Sequence, residues 1–206
     1  MENTNFKNFI PSRKEIEECQ KKWNGEKYEQ YVKADAALKR VFDTTGEHYL
    51  DDSDILIKCA TINSYYGTRI YGLYDVAKQY IQKCKILAKG LKEGDVNLIA
   101  ELTKENGKYS FATKFCHFSN PDAFPIYDYY VDKMLRELRK RDHFCRFQNN
   151  DLRDYPKFGE VINALRKHYG LEGASYRQID IMLWISGKFF LTKYPKKKIN
   201  RPPSHY

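Results

Sequence analysis

What this chain lacks narrows its reading first. No apolar run approaches the ~18 residues that a membrane-spanning helix needs. The opening Met1-Glu-Asn-Thr-Asn-Phe-Lys has no apolar core of the kind a signal peptide carries, which points to the cytosol. The five cysteines, Cys19, Cys59, Cys84, Cys116 and Cys145, form no CxxC pair. Apart from the adjacent Cys116-His117, none lies at metal-ligand spacing from a histidine. Neither a disulfide framework nor a structural zinc is expected, and the thiols read as small buried apolar groups in a reducing compartment. There is no phosphate-cradling GxxxxGK loop, no GxSxG elbow and no HExxH zinc helix, so the enzyme classes built on them drop out. Strand-like material is scarce and no internal repeat is evident.

What is present is a chain of 206 residues, 42% hydrophobic and 31% charged, the balance of a soluble globular protein of one domain, or one domain with a small lobe. Thirty-six basic side chains against 27 acidic ones leave a net charge of +9. That excess favours a polyanionic partner, nucleic acid ahead of an anionic membrane surface. The 17 tyrosines supply flat amphipathic rings suited to base stacking, although most must serve as half-buried helix edges.

Apolar periodicity is helical almost throughout and predicts an all-α fold of about nine helices. Ser12 with Glu15 forms a capping-box pattern for a helix over 12–23. A second spans 26–42 and ends before Thr44-Thr45-Gly46. Ser53 caps a third over 54–66 that Gly67 stops. Segment 73–88 follows, closed by Gly90, and Asp95 caps a helix running to about 104. After a tight turn at Glu105-Asn106-Gly107-Lys108 come helices over 110–118, 128–140, 155–169 and 176–191. This divides the chain into an N-terminal helical segment (1–50), a core (51–192) and a flexible basic tail (193–206) able to track phosphates.

The richest stretch is 111–135, FATKFCHFSNPDAFPIYDYYVDKML. Pro121 and Pro125 fix their own φ and push Asn120 and Phe124 into extended conformations. Asp128 falls where the chain turns helical again, with Val131, Leu135 and Leu138 marking an apolar face behind it. A carboxylate held there is an N-cap, a reaction centre, or both.

Turn, helix, Pro-bracketed turn and Phe124-Pro125-Ile126-Tyr127-Asp128 opening a helix together resemble the core of the helix-hairpin-helix DNA glycosylases, nearest to the branch that removes adenine from mismatches. Val131 and Lys133 follow that branch's order after the aspartate, whereas Tyr129 and Tyr130 are bulkier than its pattern. Segment 105–112 (ENGKYSFA) stands where the family has its hairpin, with a single Gly107 for the family's Gly-x-Gly. The resemblance implies a monofunctional glycosylase in a helix-hairpin-helix bundle, acting on a damaged or modified base flipped from double-stranded DNA. It implies Asp128 as the catalytic carboxylate, no metal, no cofactor, a monomer and no membrane partner. Asn106, Gly107, Lys108 and Tyr109 would grip the DNA backbone through amide groups at a helix start. Ser110 sits near the position where lyase-competent members place a lysine, and Lys114 lies one helical turn later; both are possible accessories. Segments 55–69 and 177–189 look like the helices that supply pocket residues and close against the aspartate helix.

Candidates to stack on or read an extruded base are Asn63, Tyr65, Tyr66, Tyr127 and Trp184, each with core packing or solvent exposure as the alternative role. His117 reads as a satisfied core histidine, Asp122 as a turn cap, and Arg136, Arg139, Lys140 and Arg141 as a solvated face. The degenerate hairpin suggests a specialised member, one directed at foreign DNA with bulky modified bases. Two alternatives stand beside the enzyme: a non-catalytic DNA-binding module on the same scaffold, and a helical RNA-binding protein.

Overall fold

The computed structural model describes residues 6–44 and 51–193, and among them there are ten α-helices, three 3₁₀ turns and no strand. The helices are α1 (Arg13–Trp23), α2 (Glu29–Thr44), α3 (Asp52–Tyr65), α4 (Leu73–Gln82) and α5 (Cys84–Glu93), then α6 (Leu98–Thr103), α7 (Tyr109–Ser119), α8 (Tyr129–Asp142), α9 (Tyr155–His168) and α10 (Tyr176–Lys193). The basic tail beyond Lys193 and the Thr45-Gly46 stop after α2 lie outside the described residues.

Helix α7 is the hub. Every residue from Tyr109 to His117 is buried except Ser110, which is partly so. A helix apolar on all sides belongs in the middle of a core, and α7 is packed by α2, α3 and α6. Helix α10 forms the second spine, against α1 and α8. Ile16, Cys19 and Trp23 of α1, and Leu38 and Phe42 of α2, enter the same buried cluster as Phe115, Met134 and Ile185, so the N-terminal helices share one core with the rest. Close approach of α8 and α10 depends on Gly187, where a Cβ would stand 2.9 Å from that of Tyr130 and 3.0 Å from Met134 Cγ.

Ser12 caps α1 as its spacing predicts, accepting from the Glu15 amide at 3.2 Å. Other boundaries moved. Asp51, not Ser53, caps α3, accepting from the Asp54 amide at 2.7 Å. The single helix expected over 73–88 breaks at Lys83, whose ammonium is drawn to the Glu101 carbonyl at 2.8 Å and the Glu105 carboxylate at 3.1 Å; this split makes ten helices rather than nine. Gly90 lies inside α5 against Leu98, and Gly94, with φ +68°, ends the helix. Asp95 holds the turn before α6 by accepting from the Asn97 amide, leaving Asn97 as the cap residue.

The segment between α7 and α8 is rigid for a reason beyond its prolines. Asn120 donates to the Leu91 carbonyl at 2.8 Å. His117 donates from Nδ1 to the Phe124 carbonyl at 2.8 Å, and Tyr155 donates to the Pro125 carbonyl at 2.9 Å. The Thr113 hydroxyl accepts from the Tyr127 amide at 3.2 Å, and Ser110 donates to the Tyr127 carbonyl at 2.9 Å. Buried extended backbone cannot satisfy its own polar groups; here α7 and α9 side chains do it, and this clamp fixes where Asp128 begins α8. His117 is the core histidine its surroundings suggest, its pKa pushed down to about 4 by burial and the Arg177 charge, hence neutral at physiological pH.

Candidate functional site

Asp128 opens α8 in extended backbone (φ −145°, ψ 179°) and accepts from the Val131 amide at 2.8 Å. It is therefore an N-cap, and it also lines a cavity of about 270 Å³ enclosed by α1, α2, α3, α7, α8 and α10. The cap contact occupies Oδ1 without removing the carboxylate from the cavity wall.

Aromatic rings dominate that wall: Trp23, Tyr31, Tyr66 and Trp184 line it, with Tyr65 and Tyr129 at its solvent edge, 47% and 64% exposed. Trp184 stands edge-on to Trp23 at 5.8 Å and to Tyr31 at 5.3 Å between centroids. Lys188 sits 4.5 Å above the Trp184 ring.

Set into these rings are five charges: Asp35, Lys114, Asp128, Arg177 and Asp180. Lys114 is only 5% exposed; its Nζ donates to the Ser110 hydroxyl at 2.6 Å and to the Ser110 carbonyl at 3.3 Å, and lies 5.3 Å from the Tyr66 ring centroid. Arg177 bridges two carboxylates, donating to Asp35 from Nε and Nη2 and to Asp180 from Nη1. The Tyr66 hydroxyl donates to Asp35 at 3.2 Å, closing the network.

Burial sets the electrostatics. It pushes Asp128 above the usual carboxylate range, opposed by the Lys114 charge, the Val131 and Tyr130 amides, and Arg177. Burial also pushes Asp180 up to about 7, with Arg177 pulling it down and the Asp128 charge adding to the rise. Lys114 moves below the ordinary lysine value for the same reason, with Asp128 and Asp180 resisting. Two carboxylates and a lysine thus share one cavity with shifted affinities for protons. Among the described residues no group of three or more His, Cys, Asp or Glu is arranged to hold a metal ion.

Of the residues singled out from sequence, the cavity gathers Asp128, Lys114, Tyr65, Tyr66 and Trp184, with Ser110 behind Lys114. Asn63 and Tyr127 are corrections. Asn63 closes the loop after α3: it accepts from the Ile70 amide at 3.0 Å and from the Thr68 hydroxyl, and donates to the Ile70 carbonyl at 3.2 Å. Asn63→Ala should therefore lower stability by about 1–3 kcal/mol, because it strands the buried Ile70 backbone groups. Thermal denaturation measures that loss. Tyr127 turns into the core, donating to Asp132 at 3.0 Å beneath the Arg153 guanidinium.

The turn over 105–108 is also more self-contained than expected. Asn106 donates to Gln79 at 2.6 Å and accepts from the Lys108 amide at 2.8 Å, and the Tyr109 amide is taken by the Gly107 carbonyl. Tyr109 is buried against Tyr127, which removes it from any DNA-facing surface. Gly107, with φ +63°, and Lys108 remain exposed. Most of the basic run of α8 is tied inward, Arg136 to Asp132, Arg139 to the Phe147 carbonyl and Arg141 to Asp142, while Lys140 pairs with Glu137 at the exposed surface.

Asp35, Arg177 and Asp180 were not singled out as site residues, nor were Trp23, Tyr31 and Tyr130. One signal was present: Asp180 interrupts the apolar Ile179-Asp180-Ile181-Met182-Leu183, and a lone carboxylate in such a run needs a partner.

The chain matches the protein-family model HI_0787_N, described as an N-terminal domain, over residues 15–123. It is 39% identical over 163 residues to an uncharacterized protein of Haemophilus influenzae (strain ATCC 51907 / DSM 11121 / KW20 / Rd), a match covering 75% of this chain and 76% of that protein. No solved structure matches it. The family match runs from α1 to the turn ahead of Phe124, so it contains Trp23, Asp35, Tyr66 and Lys114, while Asp128 and Asp180 lie beyond it. This chain thus belongs to the HI_0787_N family, and its cavity combines residues from the matched region with those of α8 and α10.

Proposed function

We propose that this chain is a DNA N-glycosylase, and that its described helices are a helix-hairpin-helix glycosylase bundle with a degenerate hairpin. The observation that carries the reading is Asp128: a carboxylate at the head of a helix, fixed by a clamped extended segment, facing an aromatic cavity beside a buried lysine. Double-stranded DNA is the partner and the chain acts as a monomer.

The chemistry follows from the surroundings. A base must leave the stack before any side chain reaches its glycosidic bond, and aromatic walls repay part of that unstacking. As the C1′–N bond breaks, its electron pair leaves with the base and positive charge builds on the sugar. The Asp128 carboxylate stabilises that charge at short range, in surroundings drier than water. Water then adds its oxygen to C1′, and its proton is balanced by the one the departing base takes up.

A second reading has its own observation. Lys114 reaches the cavity, and burial favours its neutral amine. In this version the amine, not water, attacks C1′ as the base leaves with the C1′–N electron pair and takes up the amine's proton; the C1′–O4′ bond then opens, O4′ gaining a proton, to give an imine, and loss of a C2′ proton expels the 3′ phosphate.

The test is a panel of duplexes carrying modified bases, incubated with the protein and then treated with alkali. Alkali-labile strand breaks are expected with at least one of them. Salt-dependent binding with no breaks from any duplex would instead mark a binding module on this scaffold.

A further inference from the structure

Four tyrosines are exposed among the described residues, and all belong to the cavity's edge or to the connection that leads away from it. Tyr65 and Tyr129 stand at the solvent edge. The α3–α4 connection leaves the cavity wall at Tyr66 and carries Tyr71, which is 98% exposed; Tyr74 follows in the first turn of α4. Single exposed rings need no explanation, but a group of them beside a cavity marks a binding surface. The connection is also stiff. Gly67 and Arg69 both have φ +54°, a left-handed conformation that arginine keeps only where its surroundings impose it. Asn63 imposes it, bonding the Thr68 hydroxyl and both backbone groups of Ile70 on either side of Arg69. Tyr71 is therefore presented on a preset frame, which lessens the ordering cost of binding. Charge accompanies the rings. Arg69 and Lys78 are exposed, Asp75 is the only acidic residue from 65 to 80, and Lys133 Nζ lies 5.7 Å from the Tyr129 ring centroid.

The means of gripping a paired backbone are, by contrast, already committed. Around the 105–108 turn the Gly107 amide donates to the Thr103 carbonyl, that of Lys108 to the Asn106 side chain and that of Tyr109 to the Gly107 carbonyl. Three of the amides that could cradle a phosphate are thus occupied. Stacking, which the exposed tyrosines offer, needs an open base face, and inside a paired duplex both faces of a base are covered by its neighbours. We propose that the tyrosines beside the cavity mouth form a stacking platform for unpaired DNA bases, so that the preferred substrate is a base in an opened stretch, a bubble, gap or single strand, rather than one in a fully paired duplex. This rests on the glycosylase reading for the reaction that the platform serves. Arg69, Lys78 and Lys133 supply charge for the phosphates between stacked bases. A base that is already unpaired also spares most of the cost of drawing it into the cavity.

The full chain is titrated into a dye-labelled DNA strand, into the same strand fully paired, and into the same sequence as RNA, while fluorescence anisotropy is followed. The single DNA strand should bind at least about tenfold more tightly than the duplex, since stacking on one aromatic ring is worth roughly that factor per base. Replacing Tyr71→Ser and Tyr74→Ser together should weaken the single strand about tenfold and bring the two forms of DNA level. Both rings lie outside the core, and the comparison made with the parent protein stands without the variant. A duplex bound as tightly as the single strand, RNA bound more tightly than DNA, or a strand preference intact in the double variant overturns the platform and leaves the glycosylase reading untouched. Base release supplies the second arm. A modified base set among about eight unpaired positions should be freed at least about tenfold faster than the same base fully paired. Equal rates overturn the proposal. No base freed from either DNA, with the strand preference lost in the double variant, upholds the platform and overturns the glycosylase reading.

Discussion

Asp128→Asn should stop base release almost completely while leaving the fold and the affinity for DNA in place. Asparagine is as good an N-cap as aspartate, so the Val131 amide keeps its acceptor and α8 keeps its start. What disappears is the negative charge facing the sugar. Loss of one well-placed electrostatic group typically costs about 10²–10³ in rate, and single-turnover base release should fall by at least that. Gel-shift affinity for the same duplex should change less than about twofold, or tighten slightly, because a charge beside phosphates has gone. Parental release rates from the Asn variant would show that Asp128 is a cap and nothing more.

Lys114→Met should move the acid limb of the activity profile upward. The sign follows from which form each group stabilises. The proposed mechanism needs ionised Asp128; burial already raises its pKa, and the Lys114 ammonium is the largest influence holding it down. With the ammonium gone the carboxyl binds its proton more tightly, so activity is lost at a higher pH as the solution is acidified. Methionine preserves the unbranched stem while removing the ammonium that stands over the Tyr66 ring. Stability runs the other way for Asp128: its raised pKa means that its contribution is greatest where it is protonated and falls as pH rises through the folded value. Thermal denaturation of Lys114→Met should therefore lose more stability at pH 8 than at pH 5. A variant silent at every pH, together with a borohydride-trapped adduct of the parent on DNA, would instead make Lys114 the nucleophile.

The sequence made Asp128 visible because its signals are local. Pro121 and Pro125 constrain their neighbours, and an aspartate ahead of Val131, Leu135 and Leu138 marks a helix start whatever the rest of the chain does. The place of Tyr127 also follows from a local rule. Successive side chains of an extended segment alternate in direction, so Ile126 and Asp128 line the cavity while Tyr127 turns into the core. The side of α7 that Lys114 occupies follows from spacing as well. Positions 110 and 114 share a helix face, and the Ser110 hydroxyl is the anchor of the lysine.

Other parts of the site were not legible in the same way. Asp35 meets Arg177 across 142 residues of chain, and no period in either helix reports the other. Asn63 was read as a base contact because an amide late in a helix looks the same whether it faces DNA or closes its own loop. Helix boundaries moved where a longer-range contact intervened, as at Lys83, drawn to Glu101 and Glu105. The family match adds a constraint of its own. Lys114, Tyr31, Tyr65 and Tyr66 fall within the matched stretch, whereas Asp128, Tyr129 and Tyr130 at the start of α8 and Arg177, Asp180 and Trp184 of α10 complete the cavity from outside it.

The most direct measurement is mass spectrometry of the small molecules freed when the full chain is incubated with duplexes containing modified bases, run beside the Asp128→Asn protein. A free base from the parent, absent with the variant, with the DNA left carrying the matching abasic sugar, is the outcome expected of a nucleoside seated against that carboxylate. Bound DNA recovered with every base still attached would contradict the account.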